Sequence, residues 1–173
     1  MRYAPLVIIV ALLAACGDSS DGALAVLPAS AVPELESTTD RVTAEDLAAD
    51  FGASGPTFAG FLVGRERVFQ GESHDLDRVV SRTLSFENAQ DARSYINYYR
   101  SHLALVYGAG TTATPLESEG RDGYLVDPAA CACHRAEPTL TALVANGQRV
   151  TYLELNGGGA KRNRLEELLA QAP

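Results

Sequence analysis

The stretch TLTALVANGQRVTYLELN, residues 139–156, decides the fold. Two runs rich in β-branched, aromatic and aliphatic side chains, Thr139 to Ala145 and Gln148 to Asn156, flank Asn146-Gly147. That dipeptide is favoured where both central residues of a two-residue hairpin turn need positive φ. Strands joined by so short a loop run antiparallel, because a parallel pair needs a long crossover. The domain is therefore read as built on an antiparallel sheet.

Working outward, Gly157-Gly158-Gly159 leads into a final helix over about Lys161 to Gln171 that buries Leu165, Leu168 and Leu169. Upstream lie two short strands, near Ala113 to Glu119 and Gly123 to Asp127, joined by the turn-rich Gly120-Arg121-Asp122-Gly123. Before them, Ala92, Ile96, Tyr99, Leu103 and Val106 recur at spacings of three and four, which predicts one amphipathic helix from Ala89 to Tyr107. Asn88 suits its N-cap, and Gly108 suits a left-handed stop. Further upstream, Phe58 to Gln70 reads as a strand bulged near Gly60 or Gly64. Leu76 to Phe86 reads as its partner, with Arg78 and Arg82 facing solvent and residues 71–75 as the connecting loop. Thr43 with Asp46 marks the start of a helix that ends at Gly52. The expected fold is α+β: an antiparallel sheet of about five to six strands, with helices mainly on one face, forming a single domain over residues 40–173.

The opening of the chain has a different character. Arg2 precedes an apolar run from Leu6 to Leu13, and the run stops at Leu13-Ala14-Ala15-Cys16 followed by Gly17-Asp18-Ser19-Ser20. The run falls short of the roughly twenty apolar residues that a spanning helix needs. A charged start, an apolar middle and small residues before a polar stop are the order of an export signal. Leu13-Ala14-Ala15-Cys16 resembles the lipobox of bacterial lipoproteins. The resemblance implies cleavage of residues 1–15, acylation of the Cys16 thiol, and a location on the extracytoplasmic face of the cell membrane. From Gly17 to about Thr39 no apolar period is sustained and Pro28 and Pro33 intervene, so residues 16–39 are read as the lipidated cysteine and a flexible tether.

Charge and cysteine content narrow the function. The formal net charge is −8, with 14 basic residues against 22 acidic ones. Neutralising phosphates takes clustered Lys and Arg, so a nucleic-acid partner is excluded, and the membrane partner is reached through the lipid rather than a basic face. Acylation of Cys16 leaves Cys131 and Cys133 as a pair in an oxidising compartment, where a disulfide is the default. Three readings of Cys131-Ala132-Cys133-His134 stay open: a small structural disulfide, metal ligation with His134, or a redox role. One intervening residue is fewer than structural zinc sites use, and haem attachment needs two.

Other clusters carry weaker chemistry. His74, Asp75 and Asp77 share a loop that reads as a solvated turn. Tyr95, Tyr98, Tyr99, Tyr107 and His102 crowd the long helix, where packing is the plain expectation. Gly158, Gly159, Lys161 and Arg162 form a low-ranking anion-binding candidate at the start of the last helix, though the pattern is neither a P-loop nor a dinucleotide fingerprint. No G-x-S-x-G elbow or H-E-x-x-H pair occurs. The sequence is thus read as a non-enzymatic, cofactor-free module binding a small ligand or an envelope protein. The rival is a thiol-redox or metal-handling protein using Cys131, Cys133 and His134.

Overall fold

The structure, a computed structural model, describes residues 24–53, 55–71, 75–116, 122–127 and 138–172. Its strands are β1 (Glu36–Val42), β2 (Phe61–Gln70), β3 (Arg78–Phe86), β4 (Thr112–Pro115), β5 (Asp122–Asp127), β6 (Thr139–Asn146) and β7 (Arg149–Asn156). Its helices are α1 (Ala44–Ala49), α2 (Ala89–Ser101), α3 (Leu103–Tyr107) and α4 (Arg162–Gln171). The strands form one seven-stranded sheet in the order β1-β2-β3-β7-β6-β5-β4, antiparallel at every pairing. No described helix is long and apolar enough to cross a membrane.

The hairpin β6–β7 lies at the middle of the sheet, and its residues are buried on both sides almost throughout. Leu140, Ala142, Val144, Leu153 and Leu155 face one core, while Leu143, Ala145, Val150 and Tyr152 face the other. A sheet apolar on both surfaces must be covered on both, because each buried aliphatic side chain contributes about 1.5–3 kcal/mol. Helices α1, α2 and α3 cover one face through Leu47, Ala92, Tyr95, Ile96, Tyr99, Leu103 and Tyr107. On the opposite face α4 packs Leu165, Leu168 and Leu169 beside Leu27, Ala31, Val32 and Leu35.

That last group corrects the expected tether. Over its described part, residues 24–39, the segment belongs to the domain. Leu27 and Val32 are fully buried, and a short 3₁₀ turn over Ala29–Ala31 shapes the path between them. Two polar side chains of β3 receive the segment: the Leu27 amide donates to Ser81 Oγ at 3.0 Å, and Thr83 Oγ1 donates to the Ala25 carbonyl at 2.8 Å. From β2, Arg67 Nη1 donates to the Leu27 carbonyl at 2.8 Å. The chain then enters β1, which pairs with β2 from Glu36 opposite Gln70 to Val42 opposite Gly64. This strand raises the count above the five to six expected. All its residues but Val42 are exposed, so it carries no apolar alternation and is held by its ladder, as suits a polar edge strand.

Other differences are local. The hairpin loop is Gly147-Gln148, one residue later than expected, because Asn146 still pairs with Arg149. Gly147 takes the first central position with φ +58°. The β2 bulge falls at Leu62, between the pairs Phe61–Phe86 and Val63–Ser85. The long helix breaks at His102 into α2 and α3. At their starts, Asn88 caps α2 by accepting from the Asp91 amide, and Thr43 with Asp46 forms a capping box on α1.

If residues 24–35 are a structural layer, Leu27→Ala should lower the unfolding free energy by about 2–5 kcal/mol in urea. An unchanged midpoint would show that the segment does not hold the fold.

Candidate functional site

Helix α2 lies over β6, β3 and β7, whereas the sheet continues past it to β5 and β4. The overhang leaves a groove of about 400 Å³ beside α2. Ile96 and Ala145 form its apolar floor, and Leu116, just past β4, borders it while its side chain packs into the core on the α4 face. Helical spacing sets one wall: Arg93, Asn97 and Arg100 fall four and three residues apart, so they stand above one another on the flank of α2. Asp122, Gly123 and Tyr124 of β5, with Pro115, form the facing wall.

The groove's polar groups are sparsely used. Arg100 Nη1 donates to the Tyr124 hydroxyl at 2.8 Å, and its guanidinium carbon lies 4.6 Å from that ring's centre. Arg93 meets Asp122 at 3.5 Å, with both side chains well exposed, so this pair adds little stability. The side-chain amide of Asn97, on an exposed position of α2, has no hydrogen-bond partner among the described residues. Concave sites of roughly 300–1,000 Å³ with an apolar floor and a few convergent polar groups are the usual form of a ligand site.

Beneath α2 runs a buried polar chain. The Tyr99 and Tyr107 hydroxyls are 2.9 Å apart; Tyr107 donates to Thr141 Oγ1 at 3.0 Å and lies 3.1 Å from the Tyr152 hydroxyl. Tyr152 donates to Glu154 Oε2 at 2.6 Å, and Asn156 and Arg78 donate to Glu154 Oε1 at 2.9 and 3.3 Å. These bonds tie α2 and α3 to β6 and β7. The Tyr95 hydroxyl, also buried, has no hydrogen-bond partner among the described residues.

Beside this chain Arg82 is largely buried, its side chain 13% exposed, which corrects the expectation that it faces solvent. Its Nη1 meets Asp50 Oδ2 at 2.6 Å, and its Nε and Nη2 both reach Glu66 Oε2, at 2.9 and 2.7 Å. Burial works against its charge, but Asp50 and Glu66 more than offset that and hold the guanidinium protonated. Burial also pushes the Asp50 carboxyl upward, against the pull of Arg82. Arg78, by contrast, is partly exposed and bridges to Glu154. A recess over Arg82 is lined by Asp40, Asp46, Asp50 and Glu66, yet among the described residues no three His, Cys, Asp or Glu side chains are placed to hold a metal ion.

Cys16, Cys131, Cys133, His134 and His74 lie outside the described residues. Close packing accounts for two of the three glycines before α4, Gly157 and Gly159. A Cβ on Gly159 would sit 2.7 Å from the Asp75 carbonyl oxygen, and one on Gly157 2.9 Å from the Asp77 amide. The Gly157, Gly159 and Lys161 amides donate to the Pro138, Asp75 and Gly159 carbonyls, and Arg162 pairs with Glu166 at 2.8 Å. Of the residues expected to form an anion cradle, the Gly159 and Lys161 amides and the Arg162 guanidinium thus already have partners within the chain, while the space beside Gly158 is open. Of the aromatic cluster, Tyr95, Tyr99 and Tyr107 are core residues, and Tyr98 stacks on His102 with ring centres 3.9 Å apart.

No protein-family model matches the chain, and no curated protein matches it. Among solved structures it is similar to the extracellular domain of PknH from Mycobacterium tuberculosis, at 11% identity over 79% of each chain with a TM-score of 0.46. A likeness this slight carries nothing across to the groove or its ligand.

Burial raises the hydroxyl pKa of Tyr95, Tyr99, Tyr107 and Tyr152 above the ordinary value of 10.0, that of Tyr107 to about 12. A folded pKa above the unfolded one contributes stability that is complete below pH 10 and is lost as pH rises through the folded values. At pH 11, absorbance at 295 nm should therefore show about three to four fewer phenolates per chain in the folded protein than in urea, where tyrosine ionises near 10. Equal signals at pH 11, with native circular dichroism retained, would contradict the buried chain.

Proposed function

We propose that this chain is a lipid-anchored extracytoplasmic lipoprotein whose domain is a non-catalytic binding module taking a small ligand in the groove beside α2. The observation that carries the binding reading is the groove itself. It pairs an apolar floor with Asn97, whose amide is unused, and with two arginines bound only by surface contacts. The anchor rests on the order of Arg2, the apolar run and Leu13-Ala14-Ala15-Cys16.

Packing of the chain from Leu24 onward sharpens the geometry of that anchor. Residues 17–23 separate Cys16 from Leu24, the first buried side chain among the described residues, so at about 3.4 Å per residue the reach is no more than about 27 Å. The segment enters on the α4 face of the sheet, whereas the groove opens on the α2 face.

In a two-dimensional NMR screen with small fragments, binders should shift the amides of Asn97, Gly123 and Ala145 together. Hits confined to other surfaces, or none, would overturn the groove as the ligand site. Separately, mass spectrometry of the envelope fraction should find Cys16 as the lipid-bearing amino terminus, and Cys16→Ser should leave an unprocessed precursor. A mature terminus elsewhere without lipid mass would remove the anchor.

A further inference from the structure

Resting on the groove being the ligand site, we infer that its ligand is an organic monoanion: a carboxylate or comparable oxyanion carried on a flat or branched apolar body. The inference starts from charge placement. On a chain of formal net charge −8, α2 sets Arg93 and Arg100 at the two ends of one wall, with the Asn97 amide between them. Among the described residues only Asp122 lines the groove with negative charge, so the charge of its described lining is opposite in sign to the chain's.

Arg100 is already oriented. The Tyr124 ring lies 4.6 Å from its guanidinium carbon, and the Tyr124 hydroxyl takes one N–H at 2.8 Å. A guanidinium has five N–H donors in a fixed plane, so others remain to meet a second planar acceptor. An oxyanion there would gain charge-assisted hydrogen bonds without having to order the arginine first. Arg93 gives up little to join, since its only ion pair among the described residues is the exposed 3.5 Å contact with Asp122. Ile96 and Ala145 below the cationic wall offer nothing to a second charge and favour an apolar body. A doubly charged or sugar-like ligand would leave polar atoms unpaired against that floor. Asp122 also disfavours a dianion.

The test uses two dyes of one ring skeleton: the monoanion 8-anilinonaphthalene-1-sulfonate and its uncharged analogue N-phenyl-1-naphthylamine, titrated by fluorescence at low salt. The anion should bind at least about tenfold tighter than the neutral dye, and added salt should reduce that ratio. In Arg93→Gln/Arg100→Gln the two dyes should bind within about twofold of each other. Asn97→Phe, which fills the groove from an exposed helical position, should weaken both. Melting temperatures of the variants serve as the folding control, because all three side chains are exposed. Equal binding of the two dyes to the unmodified protein, with both weakened by Asn97→Phe, would overturn the anion inference and leave the groove as the ligand site. Binding that Asn97→Phe does not weaken, or no binding of either dye, would overturn both.

Discussion

The structure depends on one constraint: the central strands β3, β7 and β6 bury side chains on both surfaces, so neither face of the sheet can meet water there. Two layers answer it. Helices α1 to α3 form one, and α4 with residues 24–35 forms the other. The remaining features follow from how these layers fit. Because α2 is centred over β6, β3 and β7, the outer strands β5 and β4 protrude, and the overhang becomes the groove. Among the described residues, polar side chains trapped under the layers find partners, the Tyr95 hydroxyl excepted, since each unpaired buried group costs about 1–3 kcal/mol. Ser81 and Thr83 are met by the backbone of the N-terminal segment, while Thr141 and Glu154 are met by tyrosines.

The Arg82 cluster shows the same logic for charge. Glu66 lies directly opposite Arg82 across the β2–β3 pair, and Asp50 follows the last turn of α1, so one guanidinium ties two strands and a helix together. Such a cluster adds modest net stability, because desolvation consumes much of the Coulombic gain. Its effect is positional: α1 must end where Asp50 reaches Arg82. Phe51, the next residue, is then carried into the aromatic group of Phe58, Tyr98 and Tyr99.

What was legible in the sequence was whatever carried a period or a strong local signal. The hairpin of residues 139–156, the stripe through Ala92, Ile96 and Tyr99, the Asn88 and Thr43 caps and the leucines of α4 all lie where their patterns place them. Residues 24–42 were not legible, for two physical reasons. Leu24, Val26, Leu27, Ala31, Val32 and Leu35 bury themselves from an irregular path that matches neither 3.6 nor 2 residues per repeat. β1 is exposed along nearly its whole length and is specified by its partner's ladder rather than its own side chains. Arg82 failed as a surface residue because its burial depends on Asp50, 32 positions away, which no local pattern encodes. The groove was equally invisible, since it arises from where a helix sits across a sheet. Only its helical wall, the spacing of Arg93, Asn97 and Arg100, is written in one stretch of chain.

The layer formed by residues 24–35 ties these results together: it completes the second core and shortens the reach of the proposed anchor. Native-state hydrogen exchange measures it directly, because exchange reports how much of the structure must open to expose an amide. The account predicts that the Leu27 amide, bonded to Ser81 Oγ inside the sheet's second face, exchanges nearly as slowly as the amides of β6 and β7. Exchange of Leu27, Ala31 and Leu35 at unprotected rates, with β6 and β7 still protected, would contradict it.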